Sequence, residues 1–374
     1  MVASTLGAGE AVAGTTHHSQ TSMAQRSFSL GMVISVRLDR INGDYNMTVN
    51  VPVFADIEAA AARIAPFAFK TPLIENAELN AKLGARVLLK LETLQRTGSF
   101  KFRGALNRIV KLPPADRAKG VVAFSSGNHA QGVAAAAALF KVPTLIVMPK
   151  DAPRAKLEGT KAYGAEIVFY DRTTDDREVI ATELCEKRGA ALIRPFDDPD
   201  IVAGQGTVGL EIVQDATARG AALDAVLAPC SGGGLISGIA LAFSVLSPAT
   251  RVVSVEPKDY DGMRRSLAAG VRSTALGGSP SIADGLMAPI PGIIPFALAK
   301  RHLSDALVIE DPELQKAVVY AAQTLKLIVE PSGAAALAAL ISGKYPVQGN
   351  TVAIVLTGAN GDFSPIAEAR AQVR

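Results

Sequence analysis

The sequence predicts an α/β protein built on two open, parallel-rich sheets, and three features support that prediction. Short apolar runs of strand length alternate with helix-like segments along most of the chain, the pattern of repeated βαβ units. The 374 residues exceed what one core of ordinary size holds, so two domains are expected. Hydrophobic residues make up 49% and charged residues 20%, a balance that suits a water-soluble α/β enzyme with a large core.

Residues 1–46 stand apart from this pattern, being rich in Ser, Thr, Gly and Ala with no sustained apolar period. They are expected to be disordered or untranslated, with Met23, Met32 and Met47 as candidate starts. A transit peptide competes with that reading, but three arginines against Glu10, Asp39 and Asp44 make the signal weak. From Asp56 the alternation begins. Helices are predicted over 56–64 and 78–83, the latter stopped by Gly84, around an extended Thr71-Pro72-Leu73 and before a strand at 87–91. A strand at 121–124 leads into an alanine-rich helix reaching Phe140. Strands at 144–148, 167–170 and 191–193 then alternate with helices at 155–163 and 175–187. Pro195 to Pro199 reads as a crossing between domains. A second series follows: helix 204–218, strand 224–228, helix 235–246 and strand 251–255. After an irregular stretch near 270–295 come helices 311–327 and 332–342 and a strand at 351–356.

Composition narrows the function. A net charge of +3, with no basic run interleaved with aromatics, gives no reason to expect nucleic acid. No apolar run reaches membrane-spanning length. Cys185 and Cys230 have neither CxxC nor metal-ligand spacing, so a reducing, cytoplasmic compartment is the simpler expectation.

Several segments bear chemistry. Thr97-Gly-Ser-Phe-Lys-Phe-Arg-Gly-Ala105 sets Lys101 between two phenylalanines at the start of a helix-like run. A buried ammonium needs a partner or a lowered pKa, and lysines so placed recur as Schiff-base formers. On this window alone, an exposed lysine opening an amphipathic helix is the plainer reading. Ser125-Ser-Gly-Asn-His-Ala-Gln-Gly132 follows a buried strand and opens a helix, where main-chain N–H groups receive anions. It can cradle a carboxylate, and it reads equally well as an N-cap with a tight turn.

Pro229-Cys-Ser-Gly-Gly-Gly-Leu235 repeats the strand, loop, helix pattern, and three adjacent glycines let the backbone wrap a phosphate. Ser231 adds a hydroxyl. A dinucleotide fingerprint starting at Gly232 needs glycine at 237, which is serine. Thr357, in Thr357-Gly-Ala-Asn-Gly-Asp362 after the last strand, can hydrogen-bond a ring nitrogen, although alone a Thr-Gly turn explains it better. Together, an activated lysine, a phosphate loop, a carboxylate loop and a neutral ring-nitrogen partner are what pyridoxal phosphate and an amino acid substrate require.

With Ile282-Ala-Asp-Gly285, Val329-Glu-Pro331 and Thr357-Gly-Ala-Asn360 added in order, the chain resembles the fold-type II pyridoxal-phosphate enzymes of the serine/threonine dehydratase and serine racemase family, over about residues 56–365. The resemblance implies a tryptophan synthase β-like fold. It implies a large cofactor-binding domain at 47–119 and 198–374, with a small domain at 120–197. Lys101 is then the Schiff-base lysine, Asn128 the partner of the cofactor's ring hydroxyl and of the substrate, and Thr357 the partner of the pyridine nitrogen. Gly232, Gly233, Gly234 and Leu235 surround the phosphate, while Ser125, Ser126 and His129 surround the substrate carboxylate. Ser126 replaces the alanine usual in threonine dehydratases; in racemases a serine there is the second-face base. Glu256 and Tyr260 match two positions of a Mg²⁺ or Ca²⁺ site used by some relatives, but the third is Gly262, with Asp261 beside it.

The expected reaction is β-elimination from L-threonine or L-serine to a 2-oxo acid and ammonia, with 3-hydroxyaspartate dehydration or serine racemisation as alternatives. A phosphate-ligand sensor on the same fold would not need Lys101. Partners are expected to be a small amino acid and further copies of the chain in a homo-oligomer (dimer or tetramer), with no nucleic acid and no membrane. Only twelve residues follow Asp362, so feedback through a C-terminal regulatory domain is not expected.

Overall fold

The computed structural model describes residues 32–40, 43–152 and 154–361. Its first elements, β1 (Met32–Arg40) and β2 (Gly43–Val51), pair as an antiparallel ribbon that overlaps the end of the stretch expected to be disordered or untranslated. The cause is visible in the sequence. Ile34, Val36 and Leu38, then Tyr45, Met47, Val49 and Val51, alternate with more polar residues on either side of an Asn-Gly dipeptide in the sequence. Residues 1–31, with the candidate start Met23, lie outside the described residues. Val51 is fully buried and packs with Ile57 of α1 (Phe54–Ile64).

The chain then forms β3 (Leu73–Glu75), α2 (Ala77–Leu83), β4 (Arg86–Leu91), α3 (Lys101–Lys111) and α4 (Pro114–Lys119). Next come β5 (Val121–Phe124), α5 (Asn128–Ala138), β6 (Thr144–Pro149), α6 (Arg154–Ala162), β7 (Glu166–Tyr170), α7 (Arg177–Arg188) and β8 (Ala191–Leu192). These last four strands make one parallel sheet in the order β7-β6-β5-β8. The chain returns through α8 (Pro199–Ala218), β9 (Ala225–Pro229), α9 (Gly234–Leu246) and β10 (Arg251–Pro257). It ends with α10 (Gly262–Ala269), α11 (Ile293–His302), β11 (Asp305–Ile309), α12 (Asp311–Tyr320), α13 (Ala335–Ile341) and β12 (Thr351–Leu356).

The larger sheet has six strands in the order β11-β10-β9-β12-β4-β3, all parallel except the edge strand β3. In open α/β sheets ligands collect at the carboxyl ends of strands. Here those ends lead into the glycine loop after β9, Thr357 after β12 and the Lys101 segment after β4. α10, α11 and β11 have no counterpart among the elements expected from sequence; Gly270 closes α10, and Pro289, Pro291 and Gly292 lie just before α11. The helix expected at 311–327 ends as α at Tyr320, then loosens into a π turn closed by Lys326 at φ 59°. Among the described residues no helix is long and apolar enough to cross a membrane.

Small residues set the spacing around the cleft. A Cβ on Gly132 of α5 would lie 3.1 Å from the Lys101 carbonyl carbon, so only glycine lets the two helices approach this closely. Gly104 and Gly204 do the same where α3 crosses α8: a Cβ on Gly204 would sit 2.6 Å from the Gly104 Cα. Beneath α3 the Arg103 guanidinium, 1% exposed, forks onto the buried Glu92 carboxylate through two 2.8 Å bonds. It also bonds Glu211 at 2.7 and 2.8 Å, and Glu211 takes the buried Lys90 ammonium at 2.6 Å. This network fixes the helix whose first residue is Lys101.

Candidate active site

Lys101 reaches the cleft from the first turn of α3, and its ammonium donates to the Pro195 carbonyl at 2.8 Å. No carboxylate pairs with it among the described residues. The Phe100 ring lies 5.2 Å below. One side of the chain opens on the cleft, yet the ammonium is so poorly hydrated that burial pulls it down to about 8. A lysine in that state supplies free amine near neutral pH.

The segment before it is zipped to the end of β12. Phe100 N–H donates to Thr357 O at 3.2 Å and Ala359 N–H to Gly98 O at 2.9 Å. Thr97 at φ 63° and Gly98 at φ 68° make the turn this pairing requires. Thr357 thereby lines the cleft beside Lys101, and its hydroxyl has no hydrogen bond among the described residues.

The glycine loop faces the same space. Gly233, at φ 95°, caps α9 and leaves the first-turn amides of a 13-residue helix directed at the loop. Cβ atoms there would collide: one on Gly232 would lie 2.4 Å from the Phe196 ring, and one on Gly233 would lie 2.6 Å from the Met263 methyl. Ser231 spends its oxygen on the Ala288 N–H at 3.1 Å. A loop that admits no side chain and presents amides at a helix N-terminus fits a phosphate.

Ser125, Ser126, Asn128 and His129 all line the cleft at the N-terminus of α5. Ser125 Oγ accepts the Gly127 N–H at 3.1 Å. His129 donates from Nε2 to the Ile193 carbonyl at 2.9 Å. Burial, reinforced by the Lys101 charge, pulls its imidazole down to about 3 against that bond, so the ring is neutral. Its buried Nδ1 is an acceptor without a partner. The ring therefore has no N–H to give a carboxylate, and the first-turn amides of α5 with the Ser125 and Ser126 hydroxyls are the donors suited to one.

Several side chains without a role expected from sequence also meet here. Lys156, 4% exposed, pairs with Asp284 at 2.6 Å and lies 3.8 Å from Glu330. Glu330 accepts from Asn128 Nδ2, and burial pushes its carboxyl above the ordinary range despite Lys156 and Asn128. Phe196 and Arg177 complete the wall, the guanidinium 5.5 Å from the Phe124 ring. Asp284 and Glu330 belong to quoted motifs, but Lys156 and Arg177 lie in ordinary-looking charged helices and no local signal marks them.

A divalent cation does not fit at Glu256 and Tyr260. Both Glu256 oxygens are taken at 2.8 Å by the Met263 and Arg264 amides, which caps α10. Asp261, the neighbour that could have completed the set, is held by Arg264 at 2.5 Å and Arg265 at 2.9 Å. The Tyr260 hydroxyl donates to Gly278 O at 3.4 Å. No cluster of three or more His, Cys, Asp or Glu side chains suited to a metal occurs among the described residues.

A family model described as "Pyridoxal-phosphate dependent enzyme" matches residues 64–358. The chain belongs to this family. L-threo-3-hydroxyaspartate ammonia-lyase of Pseudomonas sp. is 43% identical over 84% of this chain and 97% of its own. L-threonine ammonia-lyase of Thermotoga maritima is 38% identical over 83% and 76%. Among solved structures, maize serine racemase superposes with a TM-score of 0.80 at 36% identity, covering 86% of this chain and 98% of that one. A threonine deaminase from T.th. gives 0.78 at 44%, covering 84% and 100%. The fold is that of the fold-type II pyridoxal-phosphate enzymes, and this enzyme's cofactor is pyridoxal 5'-phosphate. The unpaired low-pKa lysine, the glycine cradle and the free Thr357 hydroxyl all suit that group.

Proposed function

We propose that this enzyme is an ammonia-lyase that eliminates water from L-threonine or L-serine; the released enamine tautomerises to an imine, which takes a water back by hydrolysis to give a 2-oxo acid and ammonia. The observation behind this reading is the half-buried Lys101 amine, pulled down to about 8 and placed in one cleft with the glycine loop and the α5 N-terminus. Pyridoxal phosphate, when bound, supplies an aldehyde for the amine and a ring that withdraws electrons from the substrate α-carbon. In this reading Lys101 holds the cofactor, then takes the α-proton on Nζ once freed. Gly232, Gly233, Gly234 and Leu235 receive the phosphate through main-chain N–H groups. Asn128 faces the ring oxygen and Thr357 the ring nitrogen; a neutral hydroxyl there leaves that nitrogen unprotonated. Ser125 and Ser126 with the α5 amides orient the substrate carboxylate, and Phe196 narrows the water's access.

A second reading, 3-hydroxyaspartate as substrate, has one specific support. Arg177 lines the cleft with no carboxylate partner among the described residues and sits in the first turn of α7, where the helix dipole disfavours a cation. A second substrate carboxylate would pair with it. Ammonia release from L-threonine, L-serine and L-threo-3-hydroxyaspartate, measured side by side, decides. Threonine or serine turning over fastest is expected, and exclusive turnover of the dicarboxylate would replace the first reading by the second. Racemisation through Ser126 would show as D-serine formed without ammonia.

Cofactor uptake by the apo-protein should depend on the free amine of Lys101. Below about 8 its rate is expected to fall about tenfold per pH unit, with a plateau above. A rise centred near the ordinary lysine value of 10.5 would show that burial does not activate this amine. A cytoplasmic site is supported by the free thiols Cys185 and Cys230. A homo-oligomeric state belongs to the same reading.

A further inference from the structure

We propose that Asn360 and Glu330 are positioning residues that lock the Asn128 amide so that it shows the cofactor only an N–H. The proposal rests on the reading that Asn128 faces the cofactor's ring oxygen. The lock starts from a group with no choice, since the Thr97 carbonyl can only accept. Asn360 Nδ2 lies 2.6 Å from it and 2.9 Å from Asn128 Oδ1, which commits both Asn360 N–H bonds. Asn128 Oδ1 is thereby its acceptor end, and Nδ2 turns the other way to donate to Glu330 Oε1. One N–H remains on Nδ2, on a side chain that lines the cleft.

Packing holds the relay in place. A Cβ on Gly98 would come within 2.7 Å of Asn360 Oδ1, and one on Gly358 would strike Glu330 Oε1. Glu330 is 1% exposed and its Oε2 has no hydrogen bond, so Asn128 is that carboxyl's hydrogen-bond donor among the described residues. The charged groups facing the relay are Glu330, Lys156, Asp284 and Lys101. A site that offers a donor and no acceptor at this point favours an ionised ring oxygen over a hydroxyl.

The test compares the absorbance of four holoenzymes at one pH and saturating pyridoxal phosphate: wild type, Asn128→Ala, Asn360→Asp and Asn360→Ala. Cofactor retention is measured alongside by titration. In Asn360→Asp a carboxylate meets the Thr97 carbonyl and Asn128 Oδ1, which forces the Asn128 amide over and turns its oxygen to the cleft. The visible band should then lose intensity to the near-ultraviolet, in the same sense as for Asn128→Ala, and retention should weaken about tenfold. Asn360→Ala, which adds no charge, serves if the aspartate variant does not fold and should show a smaller change of the same sign. If Asn128→Ala alters the spectrum while neither Asn360 variant does, the relay is refuted and the placement of Asn128 stands. If Asn128→Ala leaves the spectrum unchanged, the placement itself fails.

Discussion

Replacing Lys101 by alanine is expected to remove the visible imine band of the purified protein with pyridoxal phosphate and to lower turnover by roughly two to four orders of magnitude, what a lost proton-transfer group costs. The expectation follows from position. Pro195 O is the ammonium's hydrogen-bond partner, and Phe100 is its nearest ring. Alanine leaves α3 intact, because the side chain opens on the cleft instead of the core. The variant should therefore fold, and its melting temperature without cofactor should stay close to that of the parent. Lys156, the other cleft lysine, cannot substitute, since Asp284 holds its ammonium at 2.6 Å. A borohydride-reducible imine on Lys156 in Lys101→Ala would mean that this second amine reacts.

The second large effect is on stability. Arg103→Ala should cost about 3–5 kcal/mol, the range for removing one partner of a buried ion pair, from a total of about 5–15. Glu92, fully buried, would lose both bonds of its fork, and Glu211 would keep only Lys90. Melting should fall by roughly 5–10 °C. A pH effect accompanies it. Burial raises the Glu211 carboxyl, but Arg103 and Lys90 more than offset this and leave it below its ordinary value of 4.5. A lowered carboxylate contributes stability that is present above the ordinary value and lost as pH falls through the folded one. The parent should therefore lose this contribution only in acid, whereas Arg103→Ala should already lack it at neutral pH. Unchanged melting would show that the fork does not brace α3.

The cleft was legible where chemistry is local in the chain. Each strand, small-residue loop and helix is written contiguously, so Lys101, the Ser125–His129 loop, Gly232–Gly234 and Thr357 could be named before any geometry. The structure then brings them to one cleft. Lys156, Arg177 and Phe196 arrive there through tertiary packing, and nothing in their neighbouring residues distinguishes them from solvated charges or a core ring. The cation site shows the opposite failure. Spacing matched Glu256 and Tyr260 to two ligand positions and left Asp261 beside the third, but spacing does not reveal that Arg264 and Arg265 fold back onto Asp261. The β1–β2 ribbon was missed although its alternation is regular, because the serine- and threonine-rich residues before it set the expectation for the whole segment.

One chemical measurement bears on all of this at once: reduction of the holoenzyme with borohydride, followed by digestion and mass spectrometry of the peptides. The phosphopyridoxyl group is predicted on the peptide containing Lys101, at one equivalent per chain and on no other lysine. Finding it on Lys156, or spread over surface lysines with Lys101 unmodified, would contradict the account.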